Sequence, residues 1–228
     1  DGIPDIFDFD DWGTTPATGS APLTVPPADT TTATTTINTA GDIDPRVVDS
    51  IMASEGAAGE QGGRLEVYGF RRGNGTAYDE IVAARNQHGV GSAEERAVVE
   101  RHMAAAARQA GASNFTDPGV QAAIMSGAHM RGVGGVQATL NYMVEGGTPT
   151  RSGQLAQSTI DAIEAMPADE FQSRFRDARI EYDRAIYSDT TTTRGGVRSN
   201  WWATYGRGLT NRYAREEQQF LALSQGQD

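Results

Sequence analysis

The residue of this sequence best suited to acid chemistry is Glu55, which closes a short amphipathic segment. The segment 44–55 reads DPRVVDSIMASE, and its apolar residues recur at the spacing of one helix face. Glu55 falls in line with Val47 and Ile51 on that face. A carboxyl group there is partly removed from water, which favours its protonated form and suits a general acid. The simpler interpretation is a helix-terminal carboxylate bonded to nearby backbone or to an arginine.

The elements that position Glu55 are a helix before it and a small β element after it. Asp44 with Pro45 is a helix-start signal, because Asp caps a helix and Pro fits its first position. Gly56 ends the helix, and the RLEVYGF run at 64–70 suits a short strand or hairpin. A helix that ends in Glu before a glycine-rich strand is the arrangement by which lysozyme-like glycosidases place an acid beside a sugar cleft.

The rest of the chain carries mainly helical signals. Ser92 with Glu95 forms a capping box ahead of a helical run closed by Gly111, and Asp117 with Pro118 starts another helix. Further helices are predicted from the glycines at 132–135 and in LAQSTIDAIEAM, DEFQSRFRDARIEYDRAIY and NWWATYGRGLTNRYAREEQQFLAL, with a Thr and Gly loop at 188–196. We therefore predict a mainly α fold: a lysozyme-like helical domain with one small β element near the front, followed by a helical C-terminal region.

Four short motifs follow one another along the chain. They are SEG at 54–56 with GGRLEVYGF at 62–70, AHMRGVGGVQ at 128–137, SGQLAQST at 152–159, and NWW at 200–202 with NR at 211–212. In this order they resemble the motifs E-G-G with G-G-x-T-x-Y-G-I, A-V-N-H-G-V-G-G-A, D-G-x-L-G-P-x-T and G-W-x-N-R of glycoside hydrolase family 108, the phage and bacterial N-acetylmuramidases. The resemblance covers roughly residues 44–220.

The resemblance implies hydrolysis of the β-1,4 glycosidic bond of the peptidoglycan glycan strand, without a cofactor. Glu55 stands at the position of the family's catalytic acid. Within the first motif, the candidate substrate-binding residues are Gly62, Gly63, Arg64 and Tyr68, of which Tyr68 is best placed to stack on a sugar face. The second half of the chain would form a helical peptidoglycan-binding region.

The chain departs from the family pattern close to Glu55. Ala57 replaces the second glycine, Gln61 replaces the acidic residue before the glycine pair, and Leu65 replaces a threonine whose hydroxyl would help to position substrate or water. These departures motivate an alternative: a catalytically degenerate structural or wall-binding component of a virion or secretion machine.

A glycosidase also needs a second carboxylate, as base or nucleophile. The candidates are Glu60, Glu66 and Asp79, and we favour Glu66, although a strand carboxylate that faces solvent is the simpler interpretation of each. Other aromatic residues that suit sugar stacking are Phe70, Tyr142, Trp201 and Trp202, with core packing expected for at least one of the tryptophans.

The amino-acid composition excludes several kinds of catalytic chemistry and disfavours one class of partner. The chain has 19 basic residues, all of them Arg, and no Cys, which excludes a Schiff-base lysine, a P-loop lysine and thiolate chemistry. The net charge of −11 disfavours a nucleic-acid partner.

We expect His88, His102 and His129 at the surface or at helix ends and no metal site, because their spacing matches no metal motif. No apolar run approaches the roughly 20 residues of a membrane span.

Four parts are expected along the chain. Residues 1–11 form an acidic docking peptide, or a calcium-binding one since Asp oxygens suit that ion, and residues 12–41 form a Thr, Pro and Ala linker. Residues 42–115 form a lysozyme-like catalytic lobe, and residues 116–228 a helical lobe that resembles a peptidoglycan-binding region. The first part would attach the chain to a larger assembly, outside the cytoplasm or on a virion, while the linker lets the domain reach the glycan strands.

Overall fold

A computed structural model describes residues 41–57, 59–61, 64–194 and 197–226 of the chain. The predicted peptide 1–11 and all but the last residue of the predicted linker 12–41 lie outside these residues. The fold is mainly α with a small β element, as the sequence predicts. No helix in the described part of the chain is both long and apolar enough to cross a membrane.

Seven helices and five short strands make up the described fold. The helices are α1 Pro45–Glu55, α2 Ala77–His88, α3 Ala93–Ala110, α4 Pro118–Glu145, α5 Gln157–Glu164, α6 Ala168–Tyr187 and α7 Trp201–Ser224, with one 3-10 turn at Ala112–Asn114. The strands are β1 Gly59–Gln61, β2 Arg64–Val67, β3 Phe70–Arg71, β4 Thr191–Arg194 and β5 Val197–Asn200.

Helix ends occur where the capping residues predict them. The side chain of Asp44 accepts a hydrogen bond from the backbone N–H of Arg46, and Asp117 does the same for Val120. Gly111 closes α3 in the left-handed conformation with φ of +91°. These three residues thus set one limit each of three helices that carry or support the candidate site.

Helix α4 is bent at Gly132. This residue has φ of +71° and ψ of +170°, so the helical backbone is interrupted there and resumes after it. The prediction of a new helix at the glycines of 132–135 is therefore confirmed. Such a backbone conformation is essentially restricted to glycine, because a Cβ would clash with the neighbouring backbone.

The strands form two separate antiparallel sheets. Strands β1, β2 and β3 pair in that order directly after α1. The hairpin predicted at 64–70 corresponds to β2 and β3, and the pairing of β1 with them was not predicted. Strands β4 and β5 form a hairpin in which Thr191 pairs with Asn200. The prediction of a loop at 188–196 is wrong for 191–194, because β-branched threonines favour the extended backbone of a strand.

Helix α4 lies at the centre of the fold. It packs against α1, α3, α6 and α7, and every residue from 119 to 130 is buried. The main apolar core takes residues from both sides of the predicted lobe boundary, for example Ile51 and Val99 before it and Leu140 and Phe220 after it. The division at 115–116 stays a prediction, and the two parts share one core.

Candidate active site

Glu55 is the last residue of α1, and its position follows from the packing of that helix. Val47, Val48 and Ile51 turn one face of α1 into the core, and Glu55 lies one turn beyond Ile51. Its side chain is 15% exposed, and Oε1 accepts a hydrogen bond from Nη2 of Arg212 in α7 at 2.8 Å. The simpler interpretation of Glu55, a carboxylate bonded to an arginine, therefore describes the geometry of this structure.

The turn between β2 and β3 is the part of the sheet that reaches Glu55. The backbone N–H of Tyr68 donates to the carbonyl of Gly56 at 2.9 Å, which ties the turn to the end of α1. Gly69 has φ of +79°, and a Cβ there would lie 3.0 Å from Nδ1 of His129 and 3.4 Å from Cγ of Glu55. Both the backbone and the close approach require glycine, so α1, the hairpin and α4 meet at this residue.

His129 is the buried titratable group at this junction. Its residue is 7% exposed, and its ring packs edge-on against Phe70 with the centroids 5.7 Å apart. Burial lowers the pKa of His129; the negative charges of Glu55 and Glu216 oppose this shift and the positive charge of Arg212 adds to it. Nε2 is buried and has no hydrogen-bond partner among the described residues. A neutral imidazole with one unused nitrogen therefore lies beside the turn that contacts Glu55.

Arg212 links Glu55 to a buried ion pair between α6 and α7. Its Nε donates to Oε1 of Glu216, one turn further along α7, at 2.6 Å. Nη1 of Arg179, in α6, donates to Oε2 of the same carboxylate at 2.6 Å. Burial would raise the pKa of Glu216, but the two arginines outweigh this effect and lower that pKa to about 2. Arg212 is thus held between two carboxylates, one of them in the core.

A cavity of about 170 Å³ adjoins the β2–β3 turn. Its walls come from the segment 69–77, from the C-terminal half of α3 and from His129. Phe70 and Ala106 give it apolar surface. The cavity shares Gly69 and His129 with the surroundings of Glu55, so the candidate acid and the cavity lie against the same turn.

Glu66, the favoured second carboxylate, lies in β2 opposite Arg71 of β3. Its Oε2 is 4.0 Å from Nε of Arg71, so the two side chains form a largely buried cross-strand ion pair. Of the other two candidates, Asp79 is exposed in the first turn of α2, and Glu60 lies in β1. The assignment of a second carboxylate stays a prediction.

The predicted substrate-binding residues belong to the same hairpin. Gly62 and Gly63 lie outside the described residues, and Arg64 begins β2, where it pairs with Gln61. Tyr68 is 7% exposed and packs in the main core, so its ring presents little surface to a sugar. Its role in substrate binding stays a prediction, which this burial disfavours.

The remaining aromatic candidates fall in different parts of the fold. Trp201 is fully buried in a second apolar cluster, which confirms core packing for one of the two tryptophans, and Trp202 is partly buried beside it. Phe70 lines the cavity. The hydroxyl of Tyr142 donates to Glu181 at 2.5 Å. Only Phe70 of this group is therefore brought to the cavity beside the Glu55 site.

Three residues of the junction were not predicted as parts of it: His129, Arg212 and Glu216. The prediction that His129 lies at the surface or at a helix end is wrong, because it falls in the stretch of α4 where every residue is buried. The spacing of four between Arg212 and Glu216 was an available signal, since opposite charges at that spacing pair along a helix. The contact of Arg212 with Glu55 has no local signal, because it joins opposite ends of the described chain.

Comparisons of the chain with models of known protein families, with curated proteins and with solved structures find no match. The resemblance to glycoside hydrolase family 108 therefore stays a prediction that rests on the four motifs. Within the residues that the structure describes, no group of three or more His, Asp or Glu side chains is arranged to hold a metal ion.

Proposed function

We propose that this chain is a peptidoglycan hydrolase that cleaves the β-1,4 glycosidic bond of the glycan strand, with Glu55 as its general acid. The observation that carries the proposal is the place of Glu55: a 15% exposed carboxylate at a helix end, packed against a hairpin turn beside a cavity. A glycosidase needs an acid that is shielded from bulk water and can still be reached by a sugar oxygen. The motif order of the sequence supports the same substrate.

The proposed reaction begins with proton transfer from Glu55. Because Oε1 accepts the hydrogen bond of Arg212, we assign the transferable proton to Oε2. The proton passes to the glycosidic oxygen as its bond to C1 breaks, and water supplies the hydroxyl that C1 gains. Glu66 is our candidate for the carboxylate that activates this water or first attacks C1.

The place of action in this proposal is outside the cytoplasm, either in a secreted or periplasmic form or on a phage-like particle. Residues 1–11 would attach the chain to a larger assembly, and the linker 12–41 would let the enzyme reach glycan strands. The composition of these residues, with Asp and aromatic side chains before a Thr, Pro and Ala run, supports this arrangement.

The second candidate function is a structural or wall-binding component that has lost catalysis. The ion pair between Glu55 and Arg212 favours it, because a carboxylate held in this way also suits a purely structural role. The replacements at Ala57 and Leu65 point in the same direction.

Digestion of purified Gram-negative peptidoglycan tests the proposal. The full chain is compared with the variants Glu55→Gln, Glu66→Gln and Glu145→Gln, and the soluble products are identified by mass spectrometry. Glu145 is the matched control, because it also ends a helix before a glycine but is exposed. We expect reducing-end muropeptides from the parent and from Glu145→Gln, and a loss of about 10²–10⁴-fold for Glu55→Gln.

Other outcomes separate the alternatives. Anhydro ends in place of reducing ends would make the chain a lytic transglycosylase with the same acid. Equal product from the parent and from Glu55→Gln would reject Glu55 as the acid. No product from the parent, with the chain still bound to the wall, would reject hydrolysis and favour the structural component.

A further inference from the structure

Arg85, in α2, holds the backbone that directly follows Glu55. Its Nη2 donates a hydrogen bond to the carbonyl of Ala57 at 2.5 Å, and its Nε donates to Oε1 of Glu95 at 2.6 Å. The side chain of Arg85 is largely buried, with 14% of it exposed. One guanidinium group thus joins the chain that leaves α1 to the start of α3.

Glu95 fixes this guanidinium in its orientation. The residue is fully buried in the first turn of α3, and its second oxygen, Oε2, accepts from the backbone N–H of Gly91 at 2.5 Å. Its own backbone N–H donates to Oγ of the capping residue Ser92. Because both carboxylate oxygens are engaged and the side chain is enclosed, Arg85 has little freedom to turn away from Ala57.

The same guanidinium lies over the ring of Tyr68. Cζ of Arg85 is 5.7 Å from the ring centroid, which is within the range of a cation–π interaction. Tyr68 has φ of +47°, and no other non-glycine residue in the described part of the chain has a positive φ. Such a backbone costs a bulky residue energy and persists only where the surroundings hold it in place. Arg85 against the ring is one of these surroundings, and the bond from the N–H of Tyr68 to the carbonyl of Gly56 is another.

These contacts meet at the two peptide groups that follow Glu55. The carbonyl of Gly56 is held by the turn at Tyr68, and the carbonyl of Ala57 is held by Arg85. The backbone is therefore fixed at Ala57, one of the positions where the chain departs from the family pattern. A displacement of about 1 Å at a catalytic group can lower a rate by about a hundredfold, so the placement of this backbone bears directly on an acid at position 55.

We propose that Arg85 is a positioning residue for the proposed reaction and that it acts on Glu55 through Ala57 and Tyr68. The inference rests on the proposed function, in which Glu55 is the general acid. Arg212 holds the carboxylate of Glu55, whereas Arg85 holds the backbone that carries it. A strained turn that is held beside the acid is a cost that a purely structural component does not need, which supports the hydrolase over that alternative.

The variant Arg85→Lys separates positioning from stability. Lysine keeps a positive charge beside Glu95, but its single ammonium group does not reproduce the planar fork that reaches two acceptors. Arg174→Lys is the matched control. Nη1 of Arg174 donates to Glu170 at 3.2 Å and Nη2 to the carbonyl of Met143 at 2.9 Å, which is the same pair of acceptors at a contact between α6 and α4.

Initial rates of the full chain on peptide-free glycan strands give kcat and KM at a temperature where circular dichroism shows each variant folded. We expect kcat to fall about ten- to a hundredfold in Arg85→Lys, with KM changed by less than about twofold. Both constants should stay unchanged in Arg174→Lys. A merely structural role would lower the unfolding temperature and leave the kcat of the folded chain as it is in the parent.

Hydrogen exchange followed by nuclear magnetic resonance adds a readout that needs no substrate. The backbone N–H of Tyr68 should exchange at least about tenfold faster in Arg85→Lys than in the parent, because the turn opens more often. The N–H of Ile124, in the core of α4, should exchange at an unchanged rate, since the fold as a whole is kept.

The inference is overturned if the parent is active and Arg85→Lys has the same kcat, and the hydrolase proposal then stands. An equal fall of kcat in Arg174→Lys, or unchanged exchange at Tyr68, overturns it as well. A parent that releases no product rejects the proposed function, and the inference with it, because no turnover remains for Arg85 to support. The activity of the parent thus distinguishes the two failures.

Discussion

Arg212 and Glu55 are 157 positions apart in the chain, and Nη2 of the arginine lies 2.8 Å from Oε1 of the glutamate. The last helix of the described chain therefore holds the carboxylate that ends the first one. Because Arg212 also bonds Glu216, its guanidinium is fixed from two sides. The orientation of the candidate acid depends on this buried arrangement in α7 as much as on α1 itself.

We predict that Arg212→Gln lowers both the free energy of unfolding and the proposed activity. The change removes the cation between Glu55 and Glu216 and leaves Glu216 to Arg179 alone. Loss of a partner from a fully buried pair costs about 3–5 kcal/mol, and because Arg212 is 24% exposed we expect about 1–3 kcal/mol. Urea unfolding followed by circular dichroism measures the stability, and peptidoglycan digestion measures the activity.

Arg96→Gln is the matched control for this prediction. Arg96 also pairs with two carboxylates, those of Asp49 and Glu100, but the three side chains are 47%, 52% and 44% exposed. Surface pairs of this kind contribute up to about 1 kcal/mol, so we expect a small loss of stability and no loss of activity. Equal losses in the two arginine variants would contradict a special role for Arg212.

Glu216→Gln is expected to destabilise the fold by about 3–5 kcal/mol, because the amide leaves the buried guanidinium of Arg179 and the partly buried one of Arg212 without their shared negative charge. Because the pKa of Glu216 in the folded chain is about 2, its contribution to the stability should also depend on pH in the acid range. Its stabilising contribution is present above the unfolded pKa near 4.5 and is lost as the pH falls towards 2. Glu217→Gln, which changes the half-buried pair with Arg176 next to it, is expected to cost about 1 kcal/mol or less. A flat difference between the parent and Glu216→Gln across this pH range would contradict the assignment.

The buried imidazole of His129 predicts a loss of stability at mildly acidic pH. Its pKa in the folded state lies below the value of 6.5 that it has when unfolded, so the unfolded chain binds the proton more tightly. Stability therefore falls as the pH drops below about 6.5, by up to about 1.4 kcal/mol at about pH 5.5. Thermal unfolding at about pH 7.5 and about pH 5.5 measures this loss of stability. The His129→Gln variant should lose less stability between the two pH values than the parent does. An equal difference in the parent and in His129→Gln would assign the pH dependence to another group.

The helix limits near the site could be predicted from the sequence because a helix end is decided by a few adjacent residues. Asp44 and Asp117, each followed by proline, cap α1 and α4, and Gly111 closes α3. The second hairpin could have been predicted from the same kind of signal. The threonines at 190–193 favour a strand and the two glycines at 195–196 are a turn signal, whereas the composition of the whole segment is also typical of a loop.

The composition of the candidate site could be predicted only in part. Glu55 stands out because the helical period places it on an apolar stripe, and that period is local. Its neighbours Arg212 and His129 come from distant helices, and only tertiary packing brings Arg212 to Glu55 and His129 to the turn beside it. The burial of Tyr68 in the core, rather than in a cleft, also depends on packing that alternation along a strand does not reveal.

The bend of α4 at Gly132 gives a last prediction, on folding alone. Its φ of +71° with ψ of +170° is a conformation that costs other residues about 1–3 kcal/mol, so Gly132→Ala should lower the free energy of unfolding by that amount. Gly208→Ala is the matched control, since Gly208 lies in α7 and a Cβ there would meet no atom within 4 Å. Alanine favours a helix over glycine by up to about 1 kcal/mol, so this control should stabilise the chain. Urea unfolding of both variants measures whether each change raises or lowers the free energy of unfolding. A Gly132→Ala variant as stable as Gly208→Ala would mean that α4 runs straight through this position.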